Sequence, residues 1–252
     1  MRVLKVELGG MTTSFRYPHF LVGRQPSLPL PPPATIYGHI SSALGEWPDP
    51  TTLRFGYSFT HAGASDDLES QHIVSASSGK FRGYPKNLEG NVNPAYRQVL
   101  LQPHLTLYIA AVALDSYYQA FRQPRYAVVL GRSQDLATYT NVQYIDLEER
   151  ESGYFEGELL PNRYRDLTNA GVLIQMPRFI QPDNRRSVEW DMFLVIEKRV
   201  FTSSNPADAR KGSKVWVGPD APSFLVDPAS PVKEGQQLIV QFHSFSSELA
   251  EV

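Results

Sequence analysis

Between Arg24 and Pro48 the chain reads RQPSLPLPPPATIYGHISSALGEWP, and the prolines at 26, 29, 31, 32 and 33 decide what can stand there. Each ring fixes φ and removes an N–H donor, and each residue before a proline is pushed out of helical space. The run is therefore extended and stiff. On this reading a helix has no place before Ala34. Thr35 offers an N-cap, and Ile36, Ile40, Ala43, Leu44 and Trp47 then recur on one helical face until Gly45 and Pro48 weaken and stop it. The expectation is a helix over Thr35–Trp47, reached by a rigid loop. That loop carries Ser14, Phe15, Arg16, Tyr17 and Arg24 on its approach, and the helix carries Tyr37.

Strand signals surround this connection. Leu4, Val6 and Leu8 alternate with Lys5 and Glu7 ahead of it. Leu53, Phe55, Tyr57 and Phe59 alternate with Arg54, Gly56, Ser58 and Thr60 behind it, giving an aromatic face expected to pack under the helix. Residues 61–103 are rich in Ser, Gly and Asn, with weak strand signals at Gln71–Ala76 and Tyr96–Leu101. A segment of that length with little core pattern reads as a projecting hairpin or thumb, tipped by Lys80, Phe81, Arg82, Gly83, Tyr84 and Lys86. Regular pattern resumes at Leu105–Ile109. A second helix follows over Ser116–Arg122, capped by Asp115 and ended by Pro124, and then a short strand over Tyr126–Leu130.

The order β-α-β-insert-β-α-β is that of an α+β, ferredoxin-like module, a unit shared with RNA-recognition (RRM-like) folds. Arg54–Phe59 echoes the aromatic alternation of such folds without their signature peptide, and reads first as a core strand. The division expected is a module over 1–138, with 61–103 as thumb insert, and a β-rich C-terminal region over 139–252 packed on it. The later strands are expected at Tyr139–Leu147, Tyr154–Leu160, Val172–Met176, Glu189–Phe201 and Leu238–Phe242, with a polar linker over 202–214.

Composition narrows the chemistry. The 252 residues hold no cysteine, so disulfides, thiolate metal sites and a cysteine nucleophile are excluded; the absence fits a cytoplasmic location. No run of 18 apolar residues is present, so no membrane helix is expected. None of the six histidines pairs at metal-ligand spacing, and there is no P-loop or nucleophile elbow, so neither metal nor cofactor is expected. The net charge of −2 is not that of a free-standing nucleic-acid binder, so a nucleic-acid site must be local or shared with partners.

Two places combine cations for phosphates with rings for bases. One is Ser14-Phe15-Arg16-Tyr17 with Arg24; the other is Lys80, Arg82 and Lys86 with Tyr96 and Arg97. A third, Gly131-Arg132-Ser133-Gln134-Asp135-Leu136, offers backbone N–H groups, an arginine and a hydroxyl in one turn, a possible phosphate grip. Metal-independent RNA cleavage needs only a base, an acid and a cation, which Tyr37 and His39 near Arg24, or His61 or His104, could supply; His39 reads first as a helix-surface or packing residue.

The stretch SFRYPHFLVGRQPSLPLPPPATIYGHISSALGE, the strand Leu53–Thr60, the inserted thumb and LGRSQDLA at 130–137 resemble the fifth Cas protein family of type I CRISPR systems, in members of subtype I-B or I-D. The resemblance spans roughly residues 1–140. It implies a subunit of the Cascade ribonucleoprotein, an antiviral defence complex, that holds the 5′ handle of the CRISPR RNA. A thumb folds over that RNA, and the neighbours are the backbone subunits and the large PAM-reading subunit, with target DNA reached through the complex. By position, Ser14, Phe15, Arg16 and Tyr17 would lie near the handle, Arg132 and Ser133 would contact it, and Lys80–Lys86 would belong to the thumb. One subtype of the family is itself the processing ribonuclease, with a tyrosine late in the first helix followed by tryptophan. Here that place reads Gly45-Glu46-Trp47, and no Lys-His pair occurs. The expectation is a non-catalytic RNA-binding subunit; the alternative is a metal-independent endoribonuclease acting on repeat RNA.

Overall fold

The computed structural model describes residues 1–20, 23–184, 187–209, 214–218 and 222–245, and for residues 73–78, 81, 85–91 and 209 the backbone alone. The first half runs β1 (Arg2–Gly10), β2 (Thr12–Thr13), β3 (Arg24–Gln25), α1 (Pro33–Leu44), β4 (Leu53–Thr60), β5 (Gly63–Phe81), β6 (Tyr84–Leu101), β7 (His104–Ala111), α2 (Leu114–Arg122) and β8 (Ala137–Asp146). The second half follows as β9 (Glu148–Arg150), β10 (Tyr154–Phe155), β11 (Glu158–Pro161), a 3-10 turn (Asn162–Asp166), β12 (Val172–Ile180), β13 (Val188–Ile196), β14 (Val200–Ser203), α3 (Pro206–Ala209), β15 (Lys214–Trp216), β16 (Phe224–Val226) and β17 (Phe242–Ser244). The chain is thus α+β, with mostly antiparallel sheets and few helices.

The central sheet has the order β17-β4-β7-β1-β8, with every neighbouring pair antiparallel. Period-two alternation sorts its side chains. Leu4, Val6 and Leu8, with Phe55, Tyr57, Phe59, Leu105, Leu107 and Ile109, share one core with Ile36, Tyr37 and Ile40 of α1 and Tyr117 and Phe121 of α2. Each large side chain buried there contributes about 1.5–3 kcal/mol. The aromatic face of β4 therefore packs with the first helix as its alternation predicts.

The opposite face is covered too. Val3, Tyr108 and Ala110 pack with Leu147 and Val240. Lys5, 5% exposed, places Nζ 2.7 Å from Asp227 Oδ2, and the Tyr108 hydroxyl donates to the same oxygen at 2.8 Å. Asp227 Oδ1 also accepts the Ala229 N–H, so the buried carboxylate is fully partnered, the condition under which a buried ion pair is tolerated. Gly56 marks the crossing of the cover: a Cβ there would meet Val240 Cγ1 at 2.6 Å and the Gln241 carbonyl at 2.8 Å.

Several expectations change. The first helix begins at Pro33, because position N1 needs no N–H and suits proline's fixed φ, so the bar on starting before Ala34 and the Thr35 cap both fail. It ends at Leu44, with Gly45 in the left-handed region (φ 84°) donating its N–H to the Ser41 carbonyl. Trp47 lies past this cap, half-exposed, on Tyr37. Asp115 is not the cap of the second helix: the N-cap is Ala113, and Asp115 accepts the Tyr144 hydroxyl instead.

Tyr126–Leu130 is not a strand. It keeps a single bridge, Val129 to Leu136, because β8 takes the sheet position beside β1. Tyr154–Leu160 splits into β10 and β11, and Glu189–Phe201 into β13 and β14, which belong to different sheets. The expected strand Leu238–Phe242 is mostly bridges, with β17 starting only at Phe242. The linker over 202–214 holds the end of β14 and α3, while residues 210–213 lie outside the described residues. The central sheet also draws β17 and nearly all of β8 from beyond residue 138, so the two expected regions share it.

Candidate nucleic-acid interface

The thumb is one two-stranded ribbon. β5 and β6 pair from Gly63–Leu101 to Phe81–Tyr84, with register shifts between His72 and Val74 and between Ala76 and Lys80. Strands of 19 and 18 residues span roughly 60 Å at the usual rise. Arg82 and Gly83 close it, both at positive φ (51° and 86°), as a tight two-residue hairpin turn requires. Lys80, Arg82 and Tyr84 are exposed there, and Leu68, Val92 and Tyr96 are exposed further down. The Lys86 side chain lies outside the described residues. The segment 79–88 contains three cations and no carboxylate in its sequence.

The root of the ribbon is fixed by the opening loop. Thr12 and Thr13 pair antiparallel with Leu101 and Leu100, and Arg24 and Gln25 pair in parallel with Tyr96 and Arg97. The Ser14 hydroxyl donates to the Gln98 carbonyl at 2.8 Å, and the Ser27 N–H donates to the Gln98 side chain. Phe15 is buried edge-on against Phe59. Gly131 (φ 95°) lies so close to the loop that a Cβ would meet Thr13 Oγ1 at 2.5 Å and the Ser14 carbonyl at 2.8 Å, so only glycine fits. The Thr13 hydroxyl donates to the Leu130 carbonyl across the same seam.

Charges close the root. The Arg132 guanidinium grips Asp135 through Nε and Nη2, and reaches Glu69 through Nη1 and, at 3.6 Å, Asp67. Arg97 Nε donates to Glu69 Oε2 at 2.6 Å, and Arg24 makes a bidentate pair with Asp66. The Thr12 hydroxyl donates to Asp135. Burial alone would raise the Glu69 and Asp135 carboxyls, but the hydrogen bonds from Arg97 and Arg132 to the first, and from Arg132 and Thr12 to the second, hold both below the usual carboxylate range. Hydrogen bonding to Asp135 likewise raises Arg132. Three arginines thus meet four carboxylates.

The structure therefore brings three of the sequence clusters together and divides their roles. Ser14, Phe15, Arg97 and Arg132 serve the joint itself, and Arg24 ties its outer edge. Arg16 is exposed, beside a bridge to Ser27, and makes no ion pair among the described residues; Ser133 is exposed on the turn. Tyr17 is half-buried against Phe20, and burial and then Glu197 raise its hydroxyl. Tyr37 is 2% exposed, donates to the Pro48 carbonyl at 2.6 Å, and is pushed up to about 12, chiefly by burial.

The histidines weighed for cleavage sit as follows. His39 is buried between the Val129 carbonyl at 3.0 Å and the Tyr139 hydroxyl at 2.9 Å, and burial lowers it to about 4. That pattern fits a neutral ring donating through Nδ1 and accepting through Nε2. His61 turns onto the Gly63 carbonyl, and His104 is exposed at the start of β7. Among the described residues no group of three His, Asp or Glu is placed to hold a metal, and no helix is long and apolar enough to cross a membrane.

The acidic half of this joint was not legible as such. Asp66, Asp67 and Glu69 read as a separate acidic cluster, and Asp135 as part of a phosphate grip. Their partners lie as far as 123 residues away in sequence.

No protein-family model and no curated protein matches the chain. Among solved structures it is similar to a chain of a CRISPR RNA-guided surveillance complex, at 16% identity, 79% of this chain, 89% of that chain and TM-score 0.48. It is also similar to a chain of the type III-B Cmr-beta complex bound to cognate target RNA and AMPPnP (12%, 80%, 86%, 0.46), and to a CRISPR protein from Archaeoglobus fulgidus (9%, 79%, 87%, 0.37). The likeness is partial in each case.

Proposed function

We propose that the chain is a non-catalytic RNA-binding subunit of a type I CRISPR surveillance complex, of the fifth Cas family, which caps the 5′ handle of the CRISPR RNA. The observation that carries this reading is the ribbon. Its acid-free cationic tip is projected about 40 Å beyond a root that the opening loop and the Gly131–Leu136 turn clamp. Such a ribbon exposes Leu68, Tyr84, Val92 and Tyr96 to solvent, which suits closure over RNA and neighbouring subunits.

The strand order β4-β7-β1-β8 with two connecting helices is that of a ferredoxin-like module, in keeping with the family. Both faces of this sheet are covered, so RNA would run along the loops and the ribbon. Arg16 and Ser133 would meet phosphates beside the root, and Lys80, Arg82 and Lys86 would cross the RNA further out. Backbone and large subunits would complete the binding surface, giving access to target DNA in the cytoplasm. The burial of Tyr37 and His39 supports a role without catalysis.

Photocrosslinking within a complex purified on its CRISPR RNA tests this. Crosslinks from the handle to the ribbon tip and to Arg16 are expected, and their absence from this chain would sink the reading. Labelled repeat RNA incubated with the protein in EDTA should stay intact; specific cleavage would make it the processing nuclease.

A further inference from the structure

A second cationic site lies away from the ribbon root. Arg54 of β4, Arg163 of the 3-10 turn and Arg178 of β12 line one cleft of about 280 Å³, together with Phe242 and Phe245; Asp191 is the one carboxylate among the lining residues. With Arg178 neutralised by Glu189, Arg54 and Arg163 stand against Asp191 and leave the cleft a positive balance in a chain of net charge −2. Arg178 is occupied, donating to Glu189 at 3.1 Å and to the Ser244 carbonyl at 3.0 Å. Arg54 and Arg163 make no ion pair among the described residues. Their guanidinium carbons lie 5.9 Å from the Phe242 ring and 5.8 Å from the Tyr164 ring. Arg163 also hydrogen-bonds the Tyr164 side chain, and a ring contact of this kind holds an arginine in place while leaving most of its five N–H donors for an anion.

The same two arginines also border an adjoining chamber of about 750 Å³, whose walls include Tyr164, Trp216, Phe224 and Phe242. A cationic seat beside a roomy aromatic chamber is the chemistry of a ligand with a phosphate at one end and a flat ring at the other. An inorganic anion would leave the chamber unused, and a peptide of acidic residues alone would bring no ring to it.

We infer that Arg54 and Arg163 hold the phosphate of a nucleotide whose base enters the chamber lined by Tyr164, Trp216 and Phe224. The nucleotide is free or is one residue of a nucleic-acid strand. The site shares no residue with the ribbon root and does not depend on the function proposed above.

Titration of the whole protein with adenosine monophosphate, a four-residue oligouridylate, inorganic phosphate and a short polyglutamate, followed by calorimetry and tryptophan fluorescence, tests the site. Saturable binding of the mononucleotide or the oligonucleotide is expected, and which binds more tightly identifies the source. The accompanying fluorescence change should vanish in Trp216→Phe, leaving Trp47 and Trp190 as silent reporters. Arg54→Gln and Arg163→Gln should each weaken binding at least tenfold, while Arg165→Gln, on the same exposed turn, should leave it unchanged; thermal melts verify that each variant folds. The assignment fails if neither nucleotide ligand binds, if phosphate or polyglutamate binds as tightly, or if both glutamine variants bind as the parent does.

Discussion

Glu69 and Arg132, 63 residues apart in sequence, form an ion pair across the root of the ribbon, and the same carboxylate also holds Arg97. Both arginine side chains are largely buried, at 10% and 14% exposure, so removing their shared partner strips Arg97 of its carboxylate and leaves Arg132 to Asp135 and Asp67. Glu69→Ala is expected to cost about 2–3 kcal/mol in urea unfolding and to speed amide exchange over residues 63–72 and 93–101. Because the fold holds the Glu69 and Asp135 carboxyls below their ordinary range, this contribution is present above the unfolded carboxylate pKa and is lost as pH falls through the folded values.

The ribbon tip should act on RNA and not on folding. Replacing Lys80, Arg82 and Lys86 together by alanine is expected to leave the melting temperature within about 2 °C, since substitutions at a ribbon tip away from any core rarely exceed ~0.5 kcal/mol. The same change should lower single-stranded RNA affinity about tenfold or more at moderate salt. It should also reduce the slope of log K against log salt by about 2, from three lost phosphate contacts at ~0.7 each. A salt titration by fluorescence anisotropy measures both; an unchanged slope would place the tip off the RNA.

Much of this could be read from the residues before any coordinates. The first strand and β4 announce themselves because large apolar side chains alternate with small or polar ones, even though both faces are covered in the fold, and Gly45 stops its helix as a left-handed cap should. The ribbon shows only as two weak signals because residues exposed on both faces carry no alternation, so its length is invisible to pattern. Proline deceives at Pro33, where the rule against helix interiors gives way to the preference for N1. Least legible is the electrostatic joint. Nothing local says that Arg132 and Arg97 turn inward to Glu69, or that Arg54 and Arg163 share a cleft.

Two buried histidines make the fold acid-sensitive. Burial lowers His39 and His243 to about 4, against ~6.5 in an unfolded chain. Both are neutral in the fold, so as pH falls below ~6.5 the unfolded chain takes up protons that the fold refuses, and stability declines until pH reaches about 4. Each contributes a loss of up to about 3 kcal/mol over that window. Urea unfolding from pH 7 to 4 should show the decline, and the His39→Gln/His243→Gln double variant should flatten it; an equally steep curve would show that the rings ionise within the fold.

Glu158 has the opposite sign. It is 1% exposed, neither carboxyl oxygen has a hydrogen bond of good geometry among the described residues, and burial raises its pKa well above the ordinary value, opposed only by the Gln241 backbone N–H. The fold favours the protonated acid, so this group costs nothing below the unfolded carboxylate pKa and destabilises increasingly as pH rises toward the folded value. Glu158→Met should therefore stabilise the protein by about 1–3 kcal/mol at neutral pH, with a larger gain at pH 8 than at pH 5. A loss of stability at both pH values would mean that the carboxyl has a partner.

The strand that completes the central sheet bears on how the chain is made. Phe242 pairs with Gly56, 186 residues earlier, and Asp227 neutralises Lys5 across 222. At ordinary translation speeds of about 5–20 residues per second, β4 waits on the order of 10–40 s for its outer neighbour. Throughout that interval the nascent sheet carries Lys5 without its buried partner and a bare face, while the ribbon has already left the ribosome. The amino-terminal two-thirds is thus a client for chaperones or for early partners until the last strand closes over it.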